Sequence, residues 1–162
     1  MSEIKRVPQR GLWFEEFEVG TVYEHSPGRT VTEADNVFFT TLTMNTQALH
    51  LDAAWSAQQP GFGGQRLINS MFTLSTIVGL SVSQLTQGTL VANLGFSDIA
   101  FPKPLFAGDT LYAETECTGK RISSSRPGEG IVNITHIGRN QDGVVVARAS
   151  RATLVRLRPE EN

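Results

Sequence analysis

The spacing of apolar positions changes character partway along this chain. Val37, Phe38, Thr41 and Leu42 follow at helical intervals, and Thr32-Glu33-Ala34-Asp35 just before them has the form of a capping box with Asp in its fourth position. This predicts a helix over roughly 33–43. Leu51–Gln58 reads as a second, short helix with Asp52 near its start. Gln59-Pro60-Gly61-Phe62-Gly63-Gly64 reads as a loop, because four of its six residues are Gly or Pro. The longest helix is predicted over about Leu67–Leu85. Its apolar residues cover most of the circumference, the mark of a helix buried all round. Beyond Leu85 the period falls to two. Runs at about 89–101, 109–122, 130–140 and 144–157 are separated by turn signals, with Gln141-Asp142-Gly143 a hairpin signal between the last two. Near the start, Thr21–His25 reads as a short strand that ends at the Pro27-Gly28 turn.

One buried helix and several long antiparallel strands define an α+β architecture, in which a curved sheet wraps around the helix. Residues 1–162 are expected to form a single domain, with 1–18 an exposed lead-in whose Trp13 and Phe14 dock on the body, and 158–162 a tail. Such a protomer leaves a sheet edge open, and pairing of two edges predicts a homodimer or a dimer of dimers.

Composition narrows the function classes. A formal net charge of -2 argues against nucleic-acid binding, which calls for a basic stripe. The single Cys117 has no internal disulfide partner and is expected to be buried packing in a reduced, cytoplasmic protein. The start of the chain lacks an apolar stretch fit for a signal peptide. The most apolar segment, Leu67–Val82, is 16 residues long and carries six Asn, Ser or Thr residues, so no membrane span is expected. No His, Cys and Asp cluster has metal-ligand spacing, and no Gly-rich loop follows a strand as a dinucleotide site requires.

The segment TLTMNTQALHLD, Thr41–Asp52, carries the candidate chemistry. It sets Thr43, Asn45, Thr46, Gln47 and His50 among Leu42, Met44, Leu49 and Leu51, and half-buried polar groups need partners within the protein or in a ligand. The segment resembles the signature of MaoC-like dehydratases and R-specific enoyl-CoA hydratases, approximately S-G-D-x-N-P-x-H. His50 matches its His, and Asn45 stands where the family carries a catalytic Asp. INSMFTL, Ile68–Leu74, is similar to the stretch that opens the family's central helix. FPKPLFAGDTL, Phe101–Leu111, matches its P-x-P-V-x-x-G-D-T-L run. The resemblance covers roughly residues 20–157.

It implies a hot-dog fold and hydration of a 2-enoyl-CoA, or dehydration of a 3-hydroxyacyl-CoA, with CoA present only as part of the substrate and no cofactor. Neutral His50 suits a base near physiological pH. Backbone N–H groups at the start of the long helix, near Asn69 and Ser70, suit an oxyanion. Gln47 is a further candidate for the substrate. Arg126 is a candidate for CoA phosphate, as are Lys103 and Arg121, with surface charge the commoner reading of each. Asn45 cannot act as a carboxylate base. It can hold the water while His50 carries the proton. It can suit an acyl group bearing its own carboxylate, as in dehydratases of the mesaconyl-CoA hydratase kind, or it can mark lost activity. The alternatives are a thioesterase, for which Asp35 and Asp52 are the nearest carboxylates, and a non-catalytic acyl-CoA binding domain. His25 and His136 fall in predicted strands without a motif and read as structural.

Overall fold

A computed structural model describes residues 4–160 of the chain. Five strands, β1 (Val22–Thr30), β2 (Leu90–Ala100), β3 (Thr110–Ile122), β4 (Glu129–Arg139) and β5 (Val145–Arg156), form one antiparallel sheet in the order β1-β3-β4-β5-β2. The helices are α1 (Glu33–Leu42), α2 (Ala48–Leu51), α3 (Ala53–Ser56) and α4 (Ser70–Leu85). The long helix α4 packs against β1, β3, β4 and β5, and makes no comparable contact with β2. The α+β expectation holds, and the four later strands fall within a residue or two of their predicted limits.

Four local readings are corrected. First, β1 does not stop at His25. It continues to Thr30 through a register shift between His25 and Arg29. Pro27 is tolerated because β1 is an edge strand, where a missing N–H breaks no second ladder. Gly28 is required there, since a Cβ would lie 2.6 Å from the Tyr112 ring.

Second, the expected 51–58 helix is two single turns hinged at Asp52, which closes α2 and caps α3 by accepting from the Trp55 N–H at 2.8 Å. Third, α4 begins at Ser70 rather than Leu67. Leu67 instead bridges to Phe106, and the Ile68 N–H donates to the Leu105 carbonyl at 2.9 Å. Fourth, the lead-in is less exposed than expected: Phe14 docks on the body as expected, and Phe17 is buried beside it. Phe14 and Phe17 are buried in one apolar cluster with Leu85, Cys117, Val132, Ile134 and Val155. Lys120 fastens this stretch by donating to the carbonyls of Phe14, Glu15 and Phe17. The first three residues of the lead-in and the last two of the tail lie outside the described residues.

A second apolar cluster joins Phe72, Leu74 and Ile77 of α4 to Leu111, Ala113, Ala147 and Ala149 of the sheet. Between the two clusters runs a buried polar chain. With Gln84 Oε1 as acceptor, His25 Nδ1 donates at 2.7 Å, and His25 Nε2 accepts from the Thr115 hydroxyl at 2.8 Å. Thr115 in turn accepts from His136 Nδ1 at 2.8 Å. His25 and His136 are therefore core residues, as expected. The buried hydroxyls of Thr73 and Ser81 on α4 turn back to the carbonyls of Asn69 and Val78. One expectation about α4 fails. The helix is covered on its sheet side only, and Met71 is 52% exposed.

Candidate active site

The site is built on α1. Thr32 and Asp35 form the expected capping box, Asp35 N–H to Thr32 Oγ1 at 3.2 Å and Thr32 N–H to Asp35 Oδ2 at 2.9 Å. One turn later Asn36, fully buried, points away from solvent toward three backbone groups of other elements. Its amide nitrogen donates to the carbonyls of His50 at 3.0 Å and Leu67 at 3.1 Å, and its Oδ1 accepts from the Asn69 N–H at 2.9 Å. A single side chain thus ties α1 to α2 and to the start of α4. Sequence reading missed Asn36, because an Asn inside a helical pattern carries no sign that its partners are distant backbone groups.

His50 is buried, with 6% of its surface exposed. Its Nδ1 lies 2.8 Å from the Leu67 carbonyl. A carbonyl can only accept, so Nδ1 carries the hydrogen and the lone pair of the neutral ring is on Nε2. Nε2 makes no hydrogen bond among the described residues and is not among the polar atoms sealed in the interior. The ring is fixed from behind and its basic nitrogen is uncommitted.

The start of α4 lies on the other side of Leu67. Asn69 is the N-cap and its Oδ1 accepts from the Met71 N–H at 3.0 Å, while its amide nitrogen donates to Thr40 Oγ1 at 3.3 Å. Within the protomer the Asn69 N–H is taken by Asn36 and its side chain by the cap and Thr40. The Ser70 N–H has no partner among the described residues. It therefore remains the free donor at the positive end of a 16-residue helix. Ser70, Leu67 and Ile68 line a cavity of about 250 Å3 together with Phe101–Leu105 and Phe62. His50 is not part of that lining and reaches it through Leu67.

The remaining candidates divide. Asn45 is half-buried, and its Oδ1 accepts from the Gln47 N–H at 3.1 Å, which leaves only its NH2 to offer a ligand. Gln47 is exposed at the start of α2. Asp35 is bound to Thr32 and to Arg29, and Asp52 to Trp55. Asp35 is engaged at both oxygens, whereas Asp52 keeps its Oδ2 unbonded. Arg126 is corrected on position. It lies in the turn between Ile122 and Glu129, at the far end of β3 from Thr110 and the cavity, and bonds Glu129 at 2.6 Å. Among the described residues no group of three His, Cys, Asp or Glu side chains is placed to hold a metal ion, and no helix is long and apolar enough to cross a membrane.

Comparison with known proteins adds four findings. The MaoC like domain matches residues 15–140. A beta-methylmalyl-CoA dehydratase of Chloroflexus aurantiacus is 30% identical over 149 residues, covering 91% of this chain and 41% of the relative, so the chain spans less than half of that protein's length. The structure of a MaoC-like dehydratase from Rhodospirillum rubrum superposes with a TM-score of 0.80 at 26% identity, over 93% of this chain and 100% of that one. A Mycobacterium tuberculosis protein described as a double hotdog fold shares the fold, with a TM-score of 0.75 at 24% identity, over 94% of this chain and 46% of its own.

Proposed function

The chain belongs to the MaoC-like domain family and has its hot-dog fold, and from that premise we propose that it adds water to a 2-enoyl-CoA, or removes it from a 3-hydroxyacyl-CoA. The observation that carries this reading is the uncommitted Nε2 of His50, left by the bond from Nδ1 to the Leu67 carbonyl. In hydration, Nε2 takes a proton from water as the oxygen bonds to C3. The displaced electron pair moves to the thioester oxygen, where the Ser70 N–H and the α4 dipole meet the developing charge. The imidazolium then returns that proton to C2, so one water is added and no further acid is consumed. Asn45, with a free NH2 and no carboxylate, positions the water or the substrate. The absence of a negative charge at that position suits a branched or dicarboxylic acyl group, the class that the Chloroflexus relative's name indicates for that protein. Asp35, bound at both oxygens, argues against a thioesterase built on that carboxylate.

A second copy of the chain completes the assembly. From Asn93 to Ala100 the edge strand β2 is exposed, with Leu94 at 50% and Ile99 at 43%. The open side of α4 and the uncovered β2 edge both leave apolar surface exposed, Met71 on the one and Leu94 and Ile99 on the other, which supports a homodimer. The proposed substrate class and the buried, unpaired Cys117 support a cytoplasmic setting.

The experiment is hydration of crotonyl-CoA and mesaconyl-CoA, followed by loss of the enoyl-thioester absorbance, with release of free CoA thiol measured alongside. His50→Ala is expected to lower kcat by about 10²–10⁴. Undiminished hydration by that variant refutes the role of His50, and thiol release in place of hydration returns the thioesterase. For the binding-domain alternative, Asn45→Asp decides: a large gain from a near-zero baseline identifies a domain that has lost its base, and a fall from measurable activity identifies an adapted Asn.

A further inference from the structure

The cavity beside Ser70 has one charged group in its lining, Lys103. Of the arginines elsewhere on the protein, Arg29 is matched with Asp35, Arg66 with Glu33 and Arg139 with Glu114, while Arg148, across the sheet from Ala100, lies outside the cavity lining. Lys103 makes no hydrogen bond or ion pair among the described residues. The nearby carboxylate of Asp109 is held by its own turn, accepting from the Phe106 N–H and from Gln141. Pro102 and Pro104 flank Lys103. Each fixes its own φ and restricts the residue before it, so the backbone presenting the lysine is stiff and little order is lost on binding. An unpaired lysine and a free helix N-terminus in the lining of one cavity together make the pocket electropositive.

We propose that Lys103 is the anion-recognising residue of the cleft, taking a negatively charged oxygen group that the substrate carries outside the reacting atoms. The inference rests on the acyl-thioester reading above. Two parts of such a substrate offer this chemistry, a CoA phosphate and a free carboxylate on the acyl group. Lys103 binds and orients; it exchanges no proton with the reacting carbons. This moves the anion contact from Arg126, which is paired with Glu129 at the other end of the sheet, to the rim of the cavity itself.

The test compares wild type with Lys103→Met and Lys103→Arg on four thioesters: crotonyl and mesaconyl groups, each carried on CoA and on N-acetylcysteamine. The side chain is exposed and unbonded, so the melting temperature should not move in either variant. Lys103→Met is expected to raise KM about five- to tenfold for anion-bearing substrates, with the smallest change for crotonyl-N-acetylcysteamine, and Lys103→Arg to recover most of the loss. A penalty that follows the CoA carrier identifies phosphate as the partner. One that follows the mesaconyl group identifies the carboxylate. Equal penalties on all four substrates, or none, overturn the proposal. If the wild type turns over none of the four, the hydratase reading fails separately. Calorimetric titration with crotonyl-CoA and mesaconyl-CoA then decides for Lys103: weaker binding by Lys103→Met supports it, and equal or absent binding overturns it.

Discussion

Asn36 bonds three buried backbone groups with one amide; removing it leaves the His50 carbonyl and the Asn69 N–H without a partner, while the Leu67 carbonyl keeps His50 Nδ1. Each unsatisfied buried group costs about 1–3 kcal/mol. Asn36→Ala is therefore expected to lose about 3 kcal/mol of stability, read from the urea midpoint, and to lower kcat because His50 and the α4 start lose their common tie. A loss below about 1 kcal/mol would contradict this bridging role. His136 makes a different prediction. Burial, then the neighbouring Arg151 and His25, lowers its pKa to about 3, and burial lowers that of His25 as well. A folded-state pKa below the unfolded one means that the unfolded chain binds more protons as pH falls. The stability is complete above about 6.5 and is lost as pH drops toward 3. Between pH 6.5 and 5, before carboxylates titrate, His136 alone should cost about 2 kcal/mol. His136→Phe should flatten that part of the urea-midpoint profile, and an unchanged slope would refute the assignment.

At the scale of elements, the pieces with local causes were legible in the sequence. The capping box at Thr32 and Asp35 needs only residues three apart, and the hairpin at Gln141-Asp142-Gly143 needs only a turn, with Gly143 at φ 76°. The strands were legible because one face of the sheet is buried and alternation shows it. What was hidden depended on distant backbone. Leu67 and Ile68 are as apolar as a helix requires, and only their pairing with Phe106 and Leu105 puts them outside α4. Likewise His50 was visible in its motif, while the carbonyl that fixes its tautomer comes from 17 residues further on. Asp52 shows what the two short turns require. Since it ends α2 and caps α3, Asp52→Ala should cost about 1 kcal/mol in thermal unfolding, and Asp52→Ser should recover most of it. Equal loss in both variants would show that the cap is not the cause.

For the whole molecule, the open β2 edge predicts how copies meet. Phe96 is 37% exposed beside Arg151, whose guanidinium carbon is 5.6 Å from the ring centroid. Wild type should sediment at twice the single-chain mass of 17.7 kDa, and Phe96→Glu should shift it toward one chain. A wild-type monomer would refute the pairing. The fastening of the early aromatic residues has a consequence for synthesis on the ribosome. Phe14 and Phe17 share their cluster with Val155, and Arg158 bonds Glu15 across 143 positions of sequence. Translation delivers the two phenylalanines before β1 and their last partner strand only with β5. Throughout that interval the nascent chain carries two large aromatic side chains with no finished place to bury them. A ribosome stalled before β5 would present them to chaperones and to neighbouring chains, so the growing polypeptide is stickiest until β5 emerges.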